Sequence, residues 1–166
     1  MTAFVILHYR AIDMTKTCVE RIEALEGSNH IVIVDNASPN GTGRLLAEEY
    51  AGKEQITVLL NQENAGFARG NNLGLRWVCD HLEPEFVVVL NNDVEIMQKD
   101  FAARIGGIFR EHPFDVLGPD ILSVFSGIHQ SPKSLCGCTL ESVRRKYAKV
   151  KKSSNPILLL LSSGEK

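Results

Sequence analysis

With 166 residues, 44% of them hydrophobic and 23% charged, the chain has the material for one compact domain and a short appendage. A formal charge of -2 supplies no global attraction for a polyanion, so nucleic acid is not an expected partner. Cys18, Cys79, Cys136 and Cys138 lack zinc-site spacing and the five histidines are scattered, while the longest aliphatic run, Ile157-Leu158-Leu159-Leu160-Leu161, falls far short of the ~20 residues of a membrane span. With no signal peptide before the first apolar stretch, a cytoplasmic protein with reduced thiols is expected.

Ala3-Phe4-Val5-Ile6-Leu7-His8 predicts a first strand running into the polar pair His8-Tyr9. Asp13 then offers a cap for a helix through Met14, Cys18, Ile22 and Leu25, with Gly27 at its stop. Ile31-Val32-Ile33-Val34 predicts a second buried strand, ending on Asp35-Asn36 and the turn formers Ser38-Pro39-Asn40-Gly41, before a short helix over 42–50. Ile56-Thr57-Val58-Leu59-Leu60 is a third strand. A long segment from Asn64 through Trp77 to Leu82 follows, bounded by Pro84. Phe86-Val87-Val88-Val89-Leu90 is the fourth strand and stops abruptly on Asn91-Asn92-Asp93. Asp100 can cap a helix through Phe101, Ile105 and Phe109, and a weaker strand is expected around Val116-Leu117. Aliphatic runs without polar alternation read as strands covered on both faces, and their alternation with helices predicts an α/β fold with a mostly parallel sheet.

Polar clusters recur at the strand ends: His8-Tyr9, Asp35-Asn36 and Asn91-Asn92-Asp93. Any one of them is explained as a polar turn. Carboxylates placed directly after Ile-Val-Ile-Val and Val-Val-Val-Leu, on the edge where parallel sheets hold ligands, favour a site instead. Tyr9 can pack on a base, Asp35 can accept hydrogen bonds from a base imide or ribose hydroxyl, and Asp93 can ligate Mg²⁺ or Mn²⁺ at a diphosphate. The segment Asn64-Ala65-Gly66-Phe67-Ala68-Arg69-Gly70-Asn71-Asn72-Leu73-Gly74 is too rich in glycine and asparagine for a plain helix start. Gly66 permits close backbone approach and Arg69 offers a fork for phosphate. The plainer account, in which Asn64 caps the helix and Arg69 is solvated, leaves Gly70 and Gly74 unexplained.

Val34-Asp35-Asn36-Ala37-Ser38-Pro39-Asn40-Gly41, then the segment from Asn64 to Gly74, then Val89-Leu90-Asn91-Asn92-Asp93-Val94 resemble, in order and spacing, the signature of family 2 glycosyltransferases, and within it the bacterial rhamnosyltransferase-like enzymes of cell-surface polysaccharide synthesis. The resemblance covers roughly residues 3–130. It implies a GT-A fold, a Rossmann-like three-layer sandwich with helices on both faces of the sheet, with residues 1–130 as the nucleotide-sugar-binding core and 131–166 as an incomplete acceptor-side or C-terminal extension. It also implies a UDP- or dTDP-sugar donor, a glycan or lipid-linked glycan acceptor, and Mn²⁺ or Mg²⁺. Carried over by position, the donor-binding residues are His8, Tyr9, Asp35, Asn36, Asn64, Gly66, Arg69, Asn72, Asn91, Asn92 and Asp93. Asp35 contacts base or ribose, Arg69 lies near the nucleotide, and Asp93 is the metal ligand. Asn91 stands where many relatives carry Asp, and His8-Tyr9-Arg10 where Tyr-Asn is common.

Inverting transfer needs a general base within reach of the acceptor hydroxyl. In the resembling family it is an Asp or Glu of an acidic cluster beyond the metal motif. After Asp120 the acidic residues are Glu141 and Glu165, neither in such a context. The expectation is the donor-binding part of a longer enzyme. An inert nucleotide-sugar-binding module is the alternative, and a nucleotidyltransferase ranks lower because His8-Tyr9-Arg10-Ala11-Ile12-Asp13 has no glycine for a phosphate loop. The basic run Arg144, Arg145, Lys146, Lys149, Lys151 and Lys152 reads as a solvated face, or as a surface for anionic lipid at the inner face of the cell membrane.

Overall fold

The computed structural model describes residues 1–123 and 125–131. The cysteines at 136 and 138, the basic run at 144–152, Glu141 and Glu165 lie outside the described residues. Two compact units divide the chain, Met1–Ile108 and Phe109–Lys166.

In the first unit, β1 (Thr2–His8), β2 (Asn29–Asp35), β3 (Ile56–Leu60) and β4 (Phe86–Asn91) form a sheet in the order β3-β2-β1-β4. Every pairing is parallel: Thr2 lies opposite Asn29 and Phe86, and Ile31 opposite Ile56. Between the strands run α1 (Ile12–Glu23), α2 (Thr42–Glu49) and α3 (Phe67–His81); α4 (Phe101–Glu111) follows β4. Right-handed crossovers dictate the layering. The sheet grows from β1 to β3 in one direction, so α1 and α2 share a face; α3 leads back past β1 to β4 and must cover the other. The buried clusters follow that rule. Phe4, Ile6, Ile31 and Ile33 pack with Cys18, Val19 and Ile22 of α1 and Leu46 of α2. Their neighbours Ala3, Val5, Val32 and Val34 pack with Val78 of α3. Alternate residues of β1 and β2 thus enter two different cores, which is why those strands read as continuous aliphatic runs. The expected cover on both faces fails for β4, an edge strand of this sheet whose Val87 and Val89 are each 38% exposed.

The close seating of α3 accounts for its glycines. A Cβ on Gly74 would lie 2.5 Å from Val5 Cγ1 and 2.8 Å from Val34 Cγ2, and one on Gly70 would lie 2.5 Å from Leu7 Cδ1. Both glycines let the helix rest directly on the sheet.

Three details differ from the sequence expectation. Asp13 does not cap α1. Arg10 adopts a left-handed φ of 66° that turns the chain immediately after β1, so the helix starts at Ile12 with Ala11 as its cap and Asp13 falls in the first turn, where a carboxylate still suits the helix dipole. Asn64 does not cap α3, which opens on Gly66 at φ 79°. No strand forms at Val116-Leu117: Val116 is 72% exposed, and the strands among the described residues of the second unit are β5 (Ile121–Leu122) and β6 (His129–Ser131), paired antiparallel. Gly118-Pro119 ends the short apolar run before it can join a ladder. Also within that unit, Phe109 and Phe114 meet edge to face with centroids 5.2 Å apart. Among the described residues, no helix is long and apolar enough to cross a membrane.

Candidate functional site

The strand order reverses at β1, since chain growth from β1 goes to β2 on one side and returns to β4 on the other. A crevice at the carboxyl ends of such strands is where doubly wound folds take ligands. The register places His8 beside Asp35, and Leu7 beside Asn91, on that edge. All three polar strand ends therefore come together, with Asn61 beyond β3 as a fourth.

Asp35 is buried, and its carboxylate accepts the Ser38 N–H at 3.2 and 3.3 Å. It lies against Gly43 in the first turn of α2, where the helix dipole favours a negative charge. Asn36 is also buried. Its Oδ1 accepts the Ala65 N–H at 3.1 Å and the Asn61 amide at 3.4 Å, and its Nδ2 donates to Asn64 Oδ1 at 3.0 Å. Asn64 Oδ1 accepts the Gly66 N–H at 3.0 Å as well. Asn36 and Asn64 thus clamp the loop that delivers α3. Arg69 and Asn72 on α3, with Asn61, Ala65, Leu73 and Arg76, line a cavity of about 350 Å³.

The loops after β1 and β2 brace each other. Among the described residues, Arg10 and Ala37 are the two non-glycine residues in the left-handed region, at φ 66° and 58°. Each such conformation costs about 1–3 kcal/mol unless its surroundings fix it. Here Arg10 N–H donates to Ser38 Oγ at 2.9 Å, and Asn40 Nδ2 donates to the Arg10 carbonyl at 3.0 Å. Tyr9, 40% exposed, faces outward with the Arg10 guanidinium 4.9 Å from its ring centroid.

His8 lies elsewhere in this scheme. It is fully buried, with Nδ1 2.7 Å from Thr15 Oγ1 and Nε2 2.9 Å from Thr42 Oγ1. Burial lowers its pKa below the ordinary 6.5, only partly opposed by the charge of Asp35, so the ring is neutral at pH 7. Thr15 already donates to the Ala11 carbonyl at 3.1 Å and accepts the Asn92 amide at 3.0 Å. Thr42 Oγ1 likewise donates to Asn40 Oδ1 at 2.8 Å, and the neutral ring, with one N–H, donates to one threonine hydroxyl and accepts from the other.

Asn91-Asn92-Asp93 forms a tight turn closed by Val94 N–H to the Asn91 carbonyl at 3.3 Å. The turn is held between buried Leu90 and Val94, which packs on the core of the α1 face. Asn91 and Asp93 are exposed and Asn92 half-buried. Cys18 sits beneath, its thiol pushed up to about 12 by burial and then by the charges of Asp93 and Glu95. Among the described residues, no three His, Cys, Asp or Glu side chains converge as a metal cage. The donor set at this edge is one exposed carboxylate beside amides. That fits a hard ion such as Mg²⁺, which is commonly held by one or two carboxylates together with substrate phosphates.

The structure thus brings Tyr9, Asp35, Asn91, Asn92 and Asp93 to one edge, sets His8 and Asn36 beneath it, and places exposed Asn64 in the loop that Asn36 clamps. Arg69 and Asn72 line the cavity of α3. Sequence reasoning missed Thr15, Thr42 and Gly43, which carry no local signature, and read Ser38 only as a turn former within the Asp35 motif.

The parallel sheet flanked by helices, with polar side chains at its switch point, is a GT-A fold. Solved glycosyltransferases share it: TarS 1-349 from S. aureus, at TM-score 0.55 and 20% identity over 67% of this chain and 32% of that one, and the mannosyltransferase PcManGT from Pyrobaculum calidifontis in complex with GDP-Man and Mn²⁺, at 0.56 and 21% over 65% and 32%. Among curated proteins, the low-salt glycan biosynthesis hexosyltransferase Agl10 of Haloferax volcanii is 28% identical over 121 residues, 73% of this chain and 36% of that one. The chain belongs to glycosyl transferase family 2, whose sequence model matches residues 3–159. It spans about a third of the length of these relatives.

Proposed function

We propose that this chain forms the donor-binding part of an inverting glycosyltransferase that takes a sugar from a nucleoside diphosphate and passes it to a glycan acceptor in cell-surface polysaccharide synthesis. The observation that carries this reading is that the parallel register sets Asp35 and the Asn91-Asn92-Asp93 turn on the same edge, on either side of β1, where the strand order reverses. One carboxylate suits hydroxyl or imide donors, the other a cation. Asp93 would hold Mn²⁺ or Mg²⁺, which supplies Lewis-acid neutralisation of the departing diphosphate. Asp35 would orient the base or ribose, Tyr9 would stack on the base, and Asn36 with Asn64 would keep the α3 loop, and hence Arg69 and Asn72, in place. The order of the three motifs, like that of rhamnosyltransferase-like enzymes, supports a UDP- or dTDP-linked sugar. The basic run at 144–152 supports a lipid-linked acceptor at the inner face of the cell membrane. The donor-binding portion is assigned to residues 1–130.

Isothermal titration with UDP, dTDP and GDP, with and without Mn²⁺, tests it. Binding of UDP or dTDP strengthened by Mn²⁺, with the metal-dependent gain removed by Asp93→Ala, is the expected result. A folded sample that binds none of the three, or an Asp93→Ala variant that keeps the gain, sinks the reading.

A further inference from the structure

Two carboxylates that serve opposite ends of one ligand must keep their spacing, yet Asp35 and Asp93 stand on different loops after non-consecutive strands. The structure links those loops through one buried ring. From the β4 turn, Asn92 Nδ2 reaches Thr15 Oγ1 on α1 at 3.0 Å; Thr15 meets His8 Nδ1 on β1 at 2.7 Å; His8 Nε2 meets Thr42 Oγ1 on α2 at 2.9 Å. Thr42 Oγ1 lies 2.8 Å from Asn40 Oδ1, in the loop that follows Asp35, and Asn40 Nδ2 holds the Arg10 carbonyl at 3.0 Å. His8 and Thr15 are wholly buried and Thr42 nearly so, in a setting where hydrogen bonds to neutral partners are geometrically strict. A histidine serving only its own solvation in the core needs two partners from anywhere. This one takes them from the first turns of two helices, and a fourth element is tied in behind Thr15.

We propose that His8 is a positioning residue that couples the Asp93 turn to the Asp35 loop through Thr15 and Thr42, so that the two ends of the donor site hold a single spacing. The functional consequence rests on the donor-site reading above; the mechanical linkage does not.

Hydrogen exchange on the ligand-free protein tests the linkage. Thr15→Val keeps the branched shape and removes the acceptor, and amides of residues 92–95 should exchange about tenfold faster while those of 56–60 stay unchanged. Thr15→Ser should restore the wild-type rates. The discriminating variant is Thr42→Val: among the described residues the hydrogen bonds that join Thr42 to the β4 turn run through the ring, so faster exchange at 92–95 there means transmission by His8. Unmoved rates at 92–95 in Thr42→Val, an equal rise at 56–60, or failure of Thr15→Ser to rescue overturns the proposal. In a parallel titration with UDP, Thr15→Val should lose about tenfold of the Mn²⁺-dependent gain in affinity while metal-free affinity stays within about twofold. Loss of both affinities together also counts against it. If the wild-type protein binds no nucleotide, the donor-site reading fails and the exchange measurement still decides the linkage.

Discussion

Gly43 lies flat against the carboxylate of Asp35: a Cβ built on Gly43 would fall on Asp35 Oδ2 and Cγ and come within 2.7 Å of its Cβ. The acid at the end of β2 owes its position to the lack of a side chain on the first turn of α2. Gly43→Ala is therefore expected to displace Asp35, to lower stability by about 1–3 kcal/mol as an overpacked site, and to weaken nucleotide binding by more than about tenfold. Urea unfolding together with titration checks both. A variant that keeps wild-type affinity would mean the carboxylate is not needed where it stands.

Gly74 and Gly70 carry a graded prediction. In a free helix either Gly→Ala change would gain about 1 kcal/mol. At Gly74 the new methyl meets Val5 and Val34, both fully buried and branched at Cβ, so neither can swing aside. At Gly70 it meets the tip of half-buried Leu7, which can. Gly74→Ala should thus lower stability by about 1–2 kcal/mol net, and Gly70→Ala by less. Equal urea midpoints for the two variants would contradict this account of helix seating.

β1 and β2 were legible because burial on both faces leaves no polar alternation, as Phe4, Val5 and Ile6 show by being wholly buried, whereas the aliphatic run of β4 is a strand with one face exposed. The three polar strand ends were legible for the complementary reason, since a parallel register aligns whatever follows each run. Thr15 and Thr42 were not, because their meaning comes from a ring that reaches them from another element, 7 and 34 residues away in sequence. Nor was the role of Gly43, which is set by a contact eight residues back, at the end of the preceding strand. The expected strand at Val116-Leu117 failed because a short apolar run predicts a strand only where a partner edge exists.

Stability should fall in mild acid. His8 and His30 both have pKa values lowered from 6.5 by burial, so the unfolded chain binds protons more readily than the folded one. Their contribution is fully present above pH 6.5 and is lost as pH drops through that value towards the folded pKa values. Urea midpoints at pH 7.5 should exceed those at pH 5.5, and His8→Gln should flatten the slope between them. An unchanged slope would place the proton uptake elsewhere.

Thiol labelling should separate the two described cysteines. Cys79 is exposed, whereas Cys18 is buried with its pKa pushed up to about 12, so little thiolate exists to react. Maleimide treatment followed by peptide mapping should modify Cys79 and spare Cys18 in the folded protein. Comparable labelling at both positions would show that the packing beneath the Asp93 turn opens readily.

The place of β1 at the middle of the sheet sets an order of assembly. Its first residue pairs with Asn29 on one side and Phe86 on the other, separations of 27 (29 − 2) and 84 (86 − 2) residues. Closing the longer loop costs about 1 kcal/mol more in chain entropy. Among the described strands, β1 thus pairs with β2 at a lower cost in chain entropy than with β4, the strand that leads to Asp93. The same arithmetic makes the β1–β4 pairing the costlier of the two to re-form once it has opened, and that pairing carries the Asp93 end.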